Sequence, residues 1–361
     1  MKTNAAVVAV AAALIAGTAC AEDTLRLYNW ADYFGETTLE SFTRETGVPT
    51  SLDLYDSNDV LETRLLTGGS GFDVVFPATS NAQRALQAGA LARIDPARLK
   101  NYGNLDPAIL AVLDKAPGGR AIGVPYTWGT VGLAYNPDRI EERLGTRRLD
   151  SLDALFNEET AAKLADCGIA MIDSPLEVTA IALNYLGADP YSEAKADIEK
   201  AGALLETAAK HVRYFHSQRP TEGLASGDLC VALIYSGDAL MAGDRAAEAK
   251  NGITVDYAIP KEGTMMWVDV AAIPADARHP ELAYRFIDHL LRPEVIADVT
   301  NTVRFANANA AARPLVDPEL AANGDIYPGP EVMAKLFPDR SIEGRALRER
   351  TRFWTRVTSG Q

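Results

Sequence analysis

Short apolar runs alternate along the chain with longer amphipathic ones, the pattern of α/β architecture. Strands are predicted at 25–28, 50–55, 72–76, 131–135, 168–172, 229–234 and 253–258. Helices are predicted between them. The run 36–46 carries Leu39 and Phe42 on one face and stops at Gly47, and 57–67 opens with capping Ser57 and Asn58 and stops at Gly68-Gly69. Ser174-Pro175 supplies a cap and an N1 proline for a helix ending near Gly187, and 192–212 is long and Ala-rich. The run 344–357 sets Arg345, Arg348, Arg350, Arg352 and Arg356 around Leu347, Phe353 and Trp354, which predicts a solvated helix docking its apolar face. No repeat, low-complexity segment or composition-marked linker appears. The chain is therefore expected to pass between two lobes through strands, at 128–136 and 253–260, with Pro137 and Pro260 stopping each crossing.

Length supports two lobes. Of the 361 residues the first 21 read as an export signal: Met1-Lys2, an apolar run from Ala5 to Ile15, then the small-x-small pattern Ala19-Cys20-Ala21, with cleavage after Ala21. Acylation of Cys20 as a lipoprotein is the alternative, although the usual Leu three residues before the Cys is absent. The remaining 340 residues (361 − 21) exceed what one core usually supports. Net charge is −14, or −15 once Lys2 is removed, which argues against nucleic acid and fits cationic partners or solubility alone. Cys167 and Cys230 remain after cleavage; an exported chain with an even count suggests one disulfide, with two buried thiols as the other reading. The four His show no ligand spacing with Cys, so neither a metal nor a cofactor is expected.

Chemistry concentrates where aromatic rings and carboxylates recur together. Trp30, Asp32 and Tyr33 lie at a strand-to-loop junction. Tyr235 and Asp238 follow an apolar strand, and Trp267 and Asp269 have the alternate spacing that puts both on one strand face. Phe305 precedes Ala306-Asn307-Ala308-Asn309, and Glu177 lies in a first helical turn, where the helix dipole is expected to keep it ionised. Rings attract cations through their quadrupoles and carboxylates add charge-assisted hydrogen bonds, so the set suits an organic ammonium ion. Taken singly, each residue reads as a core ring, a cap or a surface acid. Gly68-Gly69-Ser70-Gly71 precedes a strand and reads as a turn rather than a phosphate cradle, and no G-x-S-x-G or H-E-x-x-H is present. Paired acids such as Asp238 and Asp269 leave glycoside hydrolysis as a competing class. A binding protein for another small ligand, such as an amino acid, a sugar or a metal ion, is a second alternative.

The chain resembles the polyamine-binding periplasmic proteins of bacterial ABC importers, most closely the putrescine-binding branch. The likeness runs from Leu25 to the C-terminus. It is carried by Tyr28-Asn29-Trp30 with Asp32-Tyr33, Asp56-Ser57-Asn58 with Val60-Leu61-Glu62, Gly71-Phe72-Asp73, Leu183-Asn184-Tyr185-Leu186-Gly187, Arg213-Tyr214-Phe215-His216-Ser217, Ile259-Pro260-Lys261-Glu262-Gly263 and Ala306-Asn307-Ala308-Asn309. The resemblance implies the type II periplasmic binding protein fold, two α/β lobes joined by a strand hinge around a ligand cleft. Lobe 1 is expected to hold 22–133 plus 256–305, and lobe 2 134–255 plus 306–361. It also implies a periplasmic, non-enzymatic, monomeric solute-binding protein that delivers a putrescine-like amine to a permease. Its ligand-binding positions fall on Trp30, Asp32, Tyr33, Ser80, Glu177, Tyr235, Asp238, Trp267, Asp269 and Phe305, and its disulfide on Cys167 and Cys230. The chain departs from that pattern at Ala31 and Ala78, where hydroxyl residues are frequent, at Tyr235 for a frequent Trp, and at Phe305 for a frequent Tyr.

Overall fold

The computed structural model describes residues 24–115 and 117–359; the expected export signal, with Cys20 and the cleavage point, lies outside them. Its strands are β1 (Leu25–Trp30), β2 (Thr50–Tyr55), β3 (Val74–Val75), β4 (Val124–Tyr135), β5 (Ile169–Met171), β6 (Val212–Phe215), β7 (Val231–Tyr235), β8 (Asp256–Ala258), β9 (Met265–Ala271), β10 (Ala306–Asn307) and β11 (Phe337–Pro338). One sheet runs β2-β1-β3 and is parallel; the other runs β11-β9-β4-β7-β5-β6, with β8 and β10 also pairing onto β4. Antiparallel bridges from Val75 to Ala272 and from Ala78 to Asp269 tie the first sheet to β9. Two α/β lobes therefore share β4 and β9.

All 12 residues of β4 are buried, as a strand flanked on both edges and covered on both faces must be. Its first half pairs with β9 and β10, its second with β7 and β8. A register shift between Pro125 and Trp128 marks a bulge, which turns Tyr126 and Thr127 out of the regular ladder. Pro137 ends this crossing as expected, by opening the helix Pro137–Leu144. The second long neighbour is β9 rather than 253–260: β8 reaches only Leu133, Ala134 and Tyr135. The run 265–271 hides its strand character because it is buried on both faces and lacks alternation.

Helix boundaries follow local chemistry. Gly47 caps Thr38–Thr46 in the left-handed region (φ 71°), and Ser57 accepts from Val60 N–H to start Asn58–Leu66. The predicted helix 192–212 is Lys195–Ala209, and Val212, Tyr214 and Phe215 instead build the edge strand β6, which suits β-branched and aromatic residues. The C-terminal helix Gly344–Ser359 packs on the helices Lys195–Ala209 and Pro175–Tyr185, burying Phe353 and Trp354. Arg350 departs from the solvated face expected for it. It is fully buried and donates to Pro190 O (3.2 Å) and Ser192 O (2.9 Å).

After β10 the chain keeps contact with the segment that precedes it. Asn309 donates to Leu291 O (2.7 Å), and Asp317 N–H donates to Asn301 Oδ1 (2.8 Å), both partners lying on or beside the helices that precede β10.

Cys167 and Cys230 form a disulfide with Cα atoms 5.5 Å apart and a sequence separation of 63. It joins the starts of the adjacent parallel strands β5 and β7, whose far ends lead to Glu177 and Tyr235. Closing a loop of this length removes unfolded-state entropy worth about 4 kcal/mol. Replacing both cysteines by Ser is therefore expected to lower unfolding free energy by about that amount in urea titration; an unchanged midpoint would show that the bridge adds nothing.

Candidate functional site

In both lobes the carboxyl ends of the parallel strands face the shared pair β4/β9, the place where open α/β sheets present ligand sites. β1 ends at Trp30 and β2 at Tyr55; β5 leads through Ser174-Pro175 into the helix carrying Glu177; β7 ends at Tyr235 and continues into Ser236–Ala249, with Asp238 in its first turn. Between the lobes, β9 supplies Trp267 and Asp269.

The rings form a connected wall. Tyr235 and Trp267 meet edge-to-face at 6.2 Å between centroids, Trp267 and Phe305 at 5.0 Å, and Phe305 and Tyr33 at 5.9 Å. Trp30 packs instead on Tyr55 at 4.6 Å, in a separate ring pair whose Tyr55 phenol lies within the field of Asp269. Two glycines allow this closeness. A Cβ on Gly129 of β4 would stand 2.7 Å from both Ser236 Oγ and the Trp267 ring, and one on Gly237 would stand 2.5 Å from the Phe305 ring.

The acids are held by phenols. Tyr33 donates to Asp269 Oδ2 (3.0 Å) and also hydrogen-bonds Thr127 Oγ1 (2.7 Å), a residue of the β4 bulge. Its neighbour in the bulge, Tyr126, donates to Tyr33 O (2.7 Å) and fixes the turn that delivers the ring. Tyr235 donates to Glu177 Oε2 (2.7 Å). Below that contact, Trp354 Nε1 donates to Asp173 Oδ1 (2.7 Å) and anchors the segment leading to Glu177.

Burial dominates the electrostatics. It raises Asp269 to about 8 against the Tyr33 hydrogen bond, helped by the charges of Asp339 and Glu177. It raises Glu177 to about 7 against the Tyr235 hydrogen bond, and Asp238 to about 7 against the distant charge of Arg245. The helix N-terminus was expected to keep Glu177 ionised; packing outweighs the dipole. None of these three acids makes an ion pair among the described residues.

Of the positions predicted from sequence, Tyr33, Glu177, Tyr235, Trp267, Asp269 and Phe305 come together by direct contact or shared field, with Asp238 one turn from Tyr235 and acting on its phenol. Ser80 is buried in the first turn of Thr79–Gln87, and its N–H reaches Asp339 Oδ2 at 3.4 Å. Asp32 stays apart: it is exposed, in the left-handed region at φ 53°, and serves as the turn between Trp30 and Tyr33. Four participants were not singled out: Tyr55, Tyr126, Thr127 and Asp339. Asp339 had a readable signal, because Phe337-Pro338-Asp339 repeats the aromatic-x-Asp spacing of Trp267-Val268-Asp269. Tyr126 and Thr127 had none, since their role comes from the bulge.

The chain matches the family of bacterial extracellular solute-binding proteins over residues 37–327. It is 44% identical over 359 residues to the putrescine-binding periplasmic protein PotF of Escherichia coli (strain K12), covering 98% of this chain and 97% of that one. It is 42% identical over 350 residues to the putrescine-binding periplasmic protein SpuD of Pseudomonas aeruginosa (strain UCBPP-PA14), covering 96% and 95%. A solved structure, the spermidine/putrescine ABC transporter substrate-binding protein PotD from Streptococcus pneumoniae, shares the fold with a TM-score of 0.80 at 23% identity, covering 93% of this chain and 98% of that one. The two lobes about β4 and β9 are thus those of the type II periplasmic binding protein fold, and the chain belongs to the bacterial extracellular solute-binding proteins.

Proposed function

We propose that the protein captures a cationic di- or polyamine of the putrescine type in the periplasm and delivers it to the permease of an ABC importer. One observation carries the reading: Glu177 and Asp269 are held by the phenols of a ring wall and Asp238 lies in the field of Tyr235, and among the described residues no basic side chain forms an ion pair with any of the three. Each well-placed ring contributes roughly 0.5 to 2 kcal/mol toward an ammonium ion. The ligand's methylenes bury apolar area at about 25 cal/mol per Å². Its cations supply the countercharge that the carboxylates lack. Asp269 with Asp238 takes one ammonium and Glu177 the other, with Trp30 and Ser80 completing the walls; Asp32 lies at the rim. Lys and Arg, as free amino acids, bring a carboxylate into an acidic sleeve and bind poorly.

The same cost sets the mechanism. Carboxylates closed in without a cation are unfavourable, so the empty cleft opens to water and the loaded one closes, a population shift that a permease can sense. The lobes divide at β4 and β9: 22–133 with 256–305, extended by 306–317, against 134–255 with the rest of the C-terminus. Export by cleavage after Ala21, action as a monomer and no dealings with nucleic acid complete the reading, the last in keeping with a net charge of −14. Nothing beyond paired acids supports a glycosidase, and membership in a solute-binding family removes the need for one.

Asp269→Asn is expected to weaken binding by more than about 1.5 kcal/mol, because it removes a charge-assisted contact in a desolvated slot. Calorimetry against putrescine, cadaverine, agmatine and spermidine reads this out, and unchanged affinity for all of them would remove Asp269 from the site. Gly237→Ala should push Phe305 out of the wall and cost about 1 to 3 kcal/mol of affinity; wild-type binding by this variant would show that the ring is dispensable.

Protons give a further test. The three acids titrate at about 7, 7 and 8 in the folded, unliganded protein and near 4 when unfolded. The unfolded state therefore holds fewer protons between those values, and the stability of the empty protein falls as pH rises through that window. A bound cation favours carboxylates and expels protons. Affinity is thus expected to climb from about pH 6 to about pH 8. Affinity that is flat over that range, in buffers of differing ionisation enthalpy, would exclude proton release at these acids.

A further inference from the structure

Asp339 is the one acid at this site for which neither the ring wall nor the phenols supply a role. It follows β11, which lies parallel to β9 with Phe337 opposite Met265 and Pro338 opposite Met266. Its N–H donates to Met266 O (2.9 Å), so the ladder places it beside Trp267. Its other flank faces the N-terminus of Thr79–Gln87 through Ser80 N–H. Tyr191 holds the strand by donating to Pro338 O. Burial raises Asp339 above the usual carboxylate range, and its charge is felt by both Glu177 and Asp269. Hydrogen bonds from Ser80 and the charge of Arg84 oppose that rise without outweighing it; Arg84 Nε donates to Glu62 (2.9 Å), and Arg340 lies over the Tyr191 ring (5.2 Å). Among the described residues no ion pair meets Asp339.

Two features decide what such an acid is for. First, the acids do not converge: among the described residues no group of three or more His, Cys, Asp or Glu is placed to hold one metal ion. Anions spread along an aromatic sleeve match positive centres spread along a flexible chain. Second, the charges come closer to balance for a longer ligand. Glu177, Asp238, Asp269 and Asp339 present four carboxyl groups, which exceed the two positive charges of a diamine by two and the three of a linear triamine by one. The indole N–H of Trp267, buried without a partner, marks the same wall as one that a ligand or an ordered water completes.

We propose that Asp339 provides a third anionic contact in the sleeve, so that the protein binds a linear triamine in preference to a diamine. The proposal rests on the polyamine reading above and names the ligand length within it.

Calorimetry at fixed salt with spermidine and putrescine as probes tests it on wild type, Asp339→Asn and Asp339→Glu. Wild type is expected to bind spermidine more tightly. Asp339→Asn should lose about tenfold or more on spermidine and less than about threefold on putrescine, while Asp339→Glu keeps the preference. Equal losses for both amines, or no loss for either, overturn the assignment. A wild type that binds putrescine as tightly as spermidine overturns it without any variant, which covers the case of a variant that fails to fold. A wild type that binds neither amine removes the polyamine reading itself, and this proposal with it; the two failures are distinct.

Discussion

A carboxylate taken out of water without a countercharge is among the most costly objects a protein can hold, and this fold brings the buried Asp269 together with the half-buried Glu177 and Asp238. Nothing in the surrounding core repays that cost. The hydrogen bonds from Tyr33 and Tyr235 lower it only in part, because neutral donors satisfy lone pairs without neutralising charge. The acids are therefore suited to be ionised only when a cation arrives from outside or when the lobes part and water returns.

The scaffold explains how that deficit is kept in place. β4 and β9 belong to both lobes, so residues on or beside them are held from both sides. Asp269, Trp267 and the bulge residues Tyr126 and Thr127 are all of this kind. Glu177, Tyr235 and Asp238 instead ride on the carboxyl ends of β5 and β7, and the Cys167–Cys230 bridge ties those strands together at their opposite ends. Half of the site is anchored to the hinge and half to a cross-linked pair of parallel strands.

Much of this was legible beforehand, and for identifiable reasons. Alternating strands and helices, Gly47 and Ser57 as stops and starts, and Pro137 as the end of a crossing are local signals, and each acts where the sequence puts it. The aromatic and acidic positions could be read because the same pairing recurs in separate segments. Features made by tertiary context were not legible. β9 carries no alternation because both of its faces are buried, and Arg350 belongs to an outwardly basic helix yet is swallowed by the neighbouring loop. The state of Glu177 followed the same logic: a first-turn acid is stabilised by its own helix, but the lobe packed over it matters more, and no window of residues shows that lobe.

Tyr235 shows how a single side chain can alter the design. Its hydroxyl is the donor that holds Glu177, while Phe305 offers only its ring to Trp267 and Tyr33. An acid already oriented by a phenol loses less entropy on meeting a partner. Both ends of the ring wall therefore hold an acid oriented by a phenol, Glu177 by Tyr235 and Asp269 by Tyr33 beside Phe305.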